Sequence, residues 1–383
     1  MGLPGARGFP ALACVAAVAG GAALYALSTR ARRKRRRGVA GTRRCRKHRL
    51  TIECAGGDLA LDVSVAPAVG RHAGDALVVY VLDPEPVLFG AAALFVFGQA
   101  GYFDGCCAPE DPEARFARVH VVGVGHAAEA FRLTERGFDR LRLRDHRRRD
   151  FPPFEHPTVA PGRSPNARAA AFADALVDVV APFAERDLLG LSPGAPVRRC
   201  VLGASYSAVL ALQAVLRRPR HFEDAVLGSP SVCFDPEILD DVRAANLAGT
   251  RCLVVLGGDE AAAGVGNVHS GMARYATELC AALRAAGAPN APRVELVPGE
   301  DHTSVKLALV SKGLAWFARN AARAEALADP GGGDDSPTVA WSPTLRKLAA
   351  PADGDSEEES DNYAFWPRYS TERRAAAMAH SGS

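Results

Sequence analysis

The amino-terminal part of this 383-residue chain contains no aspartate or glutamate before Glu53. Arginine and lysine are concentrated there instead, from Arg30 to Arg37 and from Arg43 to Arg49. No aromatic residue interleaves with these arginines, as a surface that stacks nucleic-acid bases would need, so we predict no nucleic-acid partner. The cluster is better interpreted as the solvated flank of a targeting segment. The net charge of +3 averages this basic start against an acidic run at residues 353–361.

Charge of either sign is missing from residues 9–27, an apolar run about as long as a membrane-spanning helix of roughly 20 residues. The run is rich in alanine and glycine, so a signal anchor, a cleaved signal and an organelle transit peptide all remain open. If it spans a membrane, the adjacent basic cluster keeps the following chain in the cytosol. Ala6 stands where N-myristoylation requires serine or threonine. We expect a membrane-anchored or organelle-targeted protein.

The nine cysteines lack the paired spacing of a structural zinc site. Their number is odd, and several lie within apolar runs, so we predict buried free thiols and no metal. The adjacent pair Cys106 and Cys107 is poorly spaced to clamp an ion. This usage fits a reducing compartment.

The middle of the chain has no internal repeat, and short β-branched runs alternate with longer helical stretches. This pattern is typical of an α/β fold, a mainly parallel sheet with helices on both faces. We predict strands at 61–65, 76–82, 119–124, 199–202, 225–227, 252–256 and 293–297, and helices at 169–180, 208–216, 271–285 and 304–321. We therefore divide the chain into an apolar segment with its basic flank (1–50), an α/β domain (51–328) and a disordered acidic tail (329–383).

A serine lies in a small-residue turn directly after one of these strands. The segment VLGASYS at 201–207 runs from the strand into Gly203, Ser205 and Ser207. This is the pattern of a nucleophile elbow, in which a tight turn exposes a serine hydroxyl. Residues 203 and 207 must be small there, because large side chains would collide with the strand and the next helix. Ser207 departs from the usual glycine.

An acid and a histidine follow the elbow, each at the end of a later strand. Asp259 and Glu260 come after the strand at 252–256, and we favour Glu260 as the acid of a triad. His302 follows the last predicted strand. The order serine, acid, histidine is that of the α/β-hydrolase fold. Ser205 is then the nucleophile and His302 the general base, chemistry that calls for no cofactor.

An oxyanion hole needs two N–H donors. The residue after the nucleophile, Tyr206, supplies the first. We expect the second from the turn after the strand at 76–82, where Pro84 has no N–H and Glu85 is the better choice.

Six segments together resemble the esterase family of α/β-hydrolases that includes the siderophore esterases. They are VYVLD (79–83), VVGVG (121–125), RDFPP (149–153), GASYS (203–207), SPS (229–231) and GEDHTSV (299–305). The resemblance covers most of residues 60–325. It implies a serine carboxylic-ester hydrolase acting on a small-molecule ester, with Ser205 as nucleophile, His302 as base and the acid at the position of Glu260.

Three interpretations of function stay open. The favoured one is an esterase, acting on siderophore-like or other small esters through an acyl-enzyme. An acyltransferase would use the same triad and exclude water, and a non-catalytic binding protein would keep the fold without turnover. The arginines at 140, 142, 144 and 147–149 either steer an anionic substrate or form a solvated loop.

Overall fold

The computed structural model describes residues 45–54, 57–68, 75–82, 86–103, 116, 118–126, 133–134, 137–138, 147–152, 166–262 and 271–328. The predicted apolar segment 9–27 and the predicted acidic tail lie outside these residues. Within the described ranges, no helix combines the length and the apolar character that a membrane crossing requires.

Eight strands form one sheet in the order β1-β2-β4-β3-β7-β8-β9-β10. They are β1 (Arg46–Ile52), β2 (Leu59–Ala66), β3 (Ala76–Leu82), β4 (Val119–His126), β7 (Val197–Ala204), β8 (Asp224–Gly228), β9 (Arg251–Gly257) and β10 (Val294–Val297). Neighbours from β4 to β10 are parallel, whereas β2 is antiparallel to both β1 and β4. A separate hairpin joins β5 (Leu133–Thr134) and β6 (Gly137–Phe138).

The helices connect these strands. They are α1 (Pro86–Phe103), α2 (Ala167–Ala175), α3 (Tyr206–Arg217), α4 (Ile238–Ala244), α5 (Gly258–Ala261), α6 (Met272–Ala285) and α7 (Val305–Ala328), with π-helical segments at Leu176–Val180 and Phe183–Leu188. All seven predicted strands and all four predicted helices are confirmed in position. Their ends differ by at most two residues, except that α7 continues to Ala328 and that the last five residues of the predicted helix 169–180 are π-helical.

The order of the strands reverses at β3. The chain leaves β3 for β4 on one side and then returns to β7 on the other. In open parallel sheets such a reversal leaves a crevice at the carboxyl ends of the strands, where ligands commonly bind. Ser205 follows directly after β7 and therefore lies at this edge.

Both faces of the central strands are buried. Along β3, Val78, Tyr80 and Leu82 pack into the core beneath α2, α3 and α6. The alternate residues Leu77 and Val79 pack against α1 and α7. Because successive strand side chains point to opposite faces, a strand covered on both sides is apolar throughout, which is why β3 shows no alternation in its sequence.

The first strand was not among the predicted ones. β1 begins before residue 51, inside the segment interpreted as a basic flank, and pairs along its length with β2. Lys47 and Arg49 each form an ion pair with Asp62 on β2, at 2.7 and 3.1 Å. Two basic residues at the end of that segment, Lys47 and Arg49, are therefore cross-strand partners of a carboxylate.

Helix α1 was also missed. It contains no charged residue over 18 positions, so it lacks the polar face on which a 3.6-residue period depends. Leu88, Ala92 and Val96 are buried in the core shared with α7, whereas Leu94 on the other side is exposed.

Three of the cysteines in the described ranges are buried free thiols, namely Cys200, Cys252 and Cys280. Burial raises the pKa of Cys252 and of Cys280 to about 12. These thiols stay protonated at neutral pH and act as small apolar groups in the core.

A histidine beyond helix α3 is held in its neutral form. The His221 ring packs edge-on against Phe222, with ring centroids 4.8 Å apart. Its Nε2 atom is buried and has no hydrogen-bond partner among the described residues. Burial, and secondarily the charge of Arg199, lowers the pKa of His221 to about 4.

Stability should therefore decline as the pH falls from about 6.5 to 4. The unfolded chain takes up a proton on His221 near its ordinary pKa, and the native chain does so only near pH 4, so acid favours unfolding. In His221→Gln this contribution disappears. Urea unfolding at pH 7 and pH 4 should give a pH-dependent loss of free energy of unfolding that is smaller in the variant by roughly 2–3 kcal/mol. Equal losses in the two proteins would contradict this assignment.

Candidate active site

Ser205 occupies a strained turn between β7 and α3. Its backbone has φ of 61° and ψ of −123°, a conformation costly for a residue with a side chain. The turn is held by a 2.8 Å hydrogen bond from the Ser205 N–H to the carbonyl of Gly228. A Cβ atom on Gly203 would collide with the backbone of Ser207, so the predicted need for a small residue at position 203 is confirmed.

Ser207, the departure from the usual elbow, is fully buried and bonded within the turn itself. Its hydroxyl donates to the carbonyl of Ala204 at 2.8 Å and accepts from the Ala204 N–H at 2.9 Å. The side chain thus satisfies two backbone groups of the turn, and the elbow accommodates serine in place of glycine.

The acid is presented by the short helix α5 at the end of β9. Glu260 is 3% exposed, whereas its neighbour Asp259 is exposed to solvent. A Cβ atom on Gly257 would collide with the carbonyl of Glu300, so the missing side chain lets the loop after β10 approach closely. Only Glu260 of the two candidate acids contacts the histidine.

His302 lies between the acid and the serine. Its Nδ1 atom is 2.6 Å from Oε1 of Glu260, and its Nε2 atom is 3.1 Å from Oγ of Ser205. An ionised carboxylate only accepts, so the ring proton belongs on Nδ1 and leaves Nε2 free to accept from the serine. The structure therefore brings Ser205, His302 and Glu260 into one hydrogen-bonded chain.

The loop that carries His302 is fixed by its neighbours. Oδ1 of Asp301 accepts from the N–H groups of Thr303 and Ser304 at 2.7 and 2.8 Å. The Ser304 hydroxyl in turn accepts from the Asp301 N–H at 2.9 Å. These backbone bonds, first of all that from Ser304, lower the pKa of Asp301. This reciprocal cap precedes α7 and orients the histidine between its two flanking residues.

Two hydroxyls from the SPS segment complete the cluster. The Ser229 hydroxyl donates to Oε2 of Glu260 at 2.7 Å, the carboxylate oxygen that His302 does not use. Oγ of Ser231 lies 3.0 Å from Oγ of Ser205. The sequence contained the segment, but its two serines had no assigned role, because they follow β8 and only the parallel order of the strands brings them beside the elbow.

Of the two predicted oxyanion donors, Tyr206 lies within the described residues. Tyr206 is the first residue of α3, at the positive end of the helix dipole. Its ring stacks on Phe234 with centroids 5.5 Å apart, and burial raises the pKa of its hydroxyl. Glu85, the second predicted donor, lies outside the described residues.

Two arginines of the predicted basic segment, Arg147 and Arg148, lie beside the elbow, and Arg148 hydrogen-bonds the side chain of Tyr206. Arg147 donates through Nη2 to the carbonyl of Ala204 at 3.3 Å, and its guanidinium carbon is 6.0 Å from the centroid of the Tyr206 ring. A positive charge and an aromatic face thus lie next to Ser205. The arginines at 140, 142 and 144 are outside the described residues.

The neighbouring Arg149 has a different role. It bonds to the buried Asp150 at 2.6 and 2.7 Å, and Asp150 also accepts from Arg168 and contacts His126. Burial on its own would raise the pKa of Asp150, but the bonds from Arg149, His126 and Arg168 lower it. Asn166 binds the carbonyls of Arg149 and of Pro152. This network anchors the turn that carries Arg147.

A mainly parallel sheet with a serine elbow after a central strand, an acid loop after β9 and a histidine loop after β10 defines the α/β-hydrolase fold. The chain has this fold. The family resemblance predicted from the sequence is confirmed at the level of the fold.

Solved structures with the same fold include two siderophore hydrolases of Aspergillus nidulans. EstB is 19% identical with a TM-score of 0.52, and the match covers 74% of this chain and 97% of that one. EstA is also 19% identical with a TM-score of 0.51, over 74% and 98%. An IroE-like serine hydrolase of Shewanella oneidensis is 16% identical with a TM-score of 0.51, over 72% and 81%. No protein-family model and no curated protein matches the chain.

The neighbouring acids offer a matched pair of substitutions. Glu260→Gln removes the charge that orients the imidazole and should lower kcat/KM for an activated ester by about 100- to 10,000-fold. Asp259→Asn removes an exposed charge one residue away and should change it less than about 3-fold. Steady-state hydrolysis of p-nitrophenyl acetate measures both. A larger loss in the Asp259 variant would overturn the choice of acid.

Proposed function

We propose that this chain is a serine carboxylic-ester hydrolase that works through an acyl-enzyme. The observation that carries the proposal is the single hydrogen-bonded chain from Ser205 through His302 to Glu260, with distances of 3.1 and 2.6 Å. A serine hydroxyl is a poor nucleophile without an adjacent base, and a base is in contact here.

In the acylation step, Oγ of Ser205 attacks the carbonyl carbon of the ester while its proton moves to Nε2 of His302. Glu260 stabilises the imidazolium that forms and remains ionised. The N–H of Tyr206 meets the negative charge on the carbonyl oxygen, and the N–H of Glu85 remains the second donor predicted from the sequence. Collapse of the tetrahedral intermediate breaks the ester bond, and the Nε2 proton passes to the departing alcohol.

Deacylation repeats these steps with water. His302 removes a proton from the water as its oxygen attacks the acyl carbon, and the proton then returns to Oγ of Ser205 as the acid product leaves. No net proton is stored on the protein, so one triad serves both halves of the reaction.

For the substrate we propose a small ester, siderophore-like or of another class, that carries negative charge. Two of the solved structures with the same fold are described as siderophore hydrolases. Within this chain the support is Arg147, whose guanidinium is beside both the elbow and the Tyr206 ring. A fixed cation close to the nucleophile favours an anionic ester over a neutral one.

Reaction with a fluorophosphonate probe tests the nucleophile. The wild-type protein should form a covalent adduct at Ser205, and labelling should vanish in Ser205→Ala. His302→Ala should slow labelling by at least about 1,000-fold, because the base is lost. Ser311→Ala is the matched control, since its hydroxyl donates to the carbonyl of Ala308 within α7.

Absence of labelling in the folded wild-type protein would contradict the proposal and favour a binding protein of the same fold. Labelling with ester turnover only in the presence of an acceptor alcohol would instead identify an acyltransferase. Mass spectrometry of the products, with and without added alcohol, separates these outcomes.

The anionic preference can be measured with two esters of the same leaving group, one with a neutral and one with a carboxylate-bearing acyl chain. Arg147→Gln should lower kcat/KM for the anionic ester by about 10-fold or more and alter the neutral one little, because a nearby charge is lost. Added salt should reduce the wild-type preference.

The control for overall charge is Arg186→Gln, in which the exposed partner of Asp187 is removed. The support for an anionic substrate would be lost if the two variants lowered kcat/KM for the anionic ester equally. It would also be lost if Arg147→Gln left the ratio of kcat/KM for the anionic and neutral esters unchanged. Arg149 is unsuitable for this comparison because it binds the buried Asp150.

A further inference from the structure

The hydrogen bonds around Ser205 have a direction that chemistry determines. The Glu260 carboxylate accepts on both oxygens, from Nδ1 of His302 and from the hydroxyl of Ser229. Nε2 of His302 must then accept the proton of Ser205. The Ser205 oxygen has used its one proton and can only accept from Ser231, 3.0 Å away. The Ser231 hydroxyl therefore donates to the nucleophile.

Ser231 is held in this position. It is 3% exposed, and its N–H contacts the carbonyl of Ser205 at 3.4 Å. The preceding turn is tied to the sheet by a 2.7 Å bond from the Ser229 N–H to the carbonyl of Val255. Ser229 itself has a positive φ of 39°. A hydroxyl fixed by its own backbone requires little rearrangement during the reaction.

We propose that Ser231 is a further catalytic residue, which donates a hydrogen bond to Oγ of Ser205 as negative charge develops there. The inference rests on the proposed function, since it assigns a role within the same reaction. The proton stays on Ser231 throughout, and no bond to its oxygen forms or breaks. In acylation the bond strengthens as the Ser205 proton moves to His302, and in deacylation it strengthens as Ser205 departs from the acyl carbon.

The size of the effect follows from the charge on the acceptor. A hydrogen bond to a neutral oxygen contributes little, whereas one to a charged oxygen is about twice as strong. Loss of the Ser231 hydroxyl should therefore slow the reaction by about 10- to 100-fold. The effect should fall on kcat, with KM nearly unchanged, because the stronger bond exists only in the transition state.

The test uses two substitutions in the full chain. Ser231→Ala removes the hydroxyl and leaves a small void, and Ser231→Cys fills the same space with a weak donor. Rates of fluorophosphonate labelling and of p-nitrophenyl acetate hydrolysis are measured for both, alongside Ser311→Ala. Thermal unfolding is recorded for each protein.

Both Ser231 variants should label and hydrolyse about 10- to 100-fold more slowly at an unchanged pH optimum, while Ser311→Ala matches the wild type. A wild-type rate in either Ser231 variant overturns the inference while leaving the esterase proposal intact. If Ser231→Ala fails to fold, the cysteine variant decides the question alone. A wild-type protein that does not label at all contradicts the proposed function instead.

Discussion

The buried carboxylate of Glu260 is the constraint on which the candidate site depends. An ionised group removed from water is strongly destabilising unless other groups bond to it. Here each oxygen has a separate donor, His302 for one and Ser229 for the other. These two donors come from different loops, so the loops after β8 and β10 must both reach the end of β9. Loss of either donor would weaken the bonding that stabilises a buried charge.

The sheet makes this meeting possible. β7, β8, β9 and β10 are consecutive parallel neighbours, so their carboxyl ends lie side by side and each contributes one loop to the cluster. Two glycines allow close backbone packing here. Gly203 lets the strand β7 pack against the backbone of Ser207, and Gly257 lets β9 pack against the loop that carries His302. The arrangement is local to one edge of the sheet, although its serine and histidine are 97 positions apart in the chain.

The parts of the fold that could be predicted are those whose segments have a characteristic length and composition. Strands buried on both faces are short, β-branched and bounded by turns, and they were found. β1 was missed because its basic residues resemble a solvated flank until Asp62 is placed opposite them. α1 was missed because a helix without a polar face has no period to detect.

The same distinction holds for the site. Ser205 and His302 could be predicted because each follows a recognisable strand, and position at a strand end is a local property. The choice between Asp259 and Glu260 is not local. One residue along α5 rotates a side chain by about 100°, so only the packed structure separates the buried acid from the exposed one. Arg147 and Ser231 approach the elbow through long-range contacts that no spacing in the sequence reveals.

The serine at position 207 determines which sequence patterns detect this nucleophile elbow. A glycine in that position would leave the backbone of Ala204 without the two bonds that the serine hydroxyl makes. Serine can therefore take the position of the second glycine in the elbow, because its buried hydroxyl makes both of these bonds. A search pattern that requires glycine there overlooks this chain. A pattern that also admits serine, with a histidine required after the last strand, matches it.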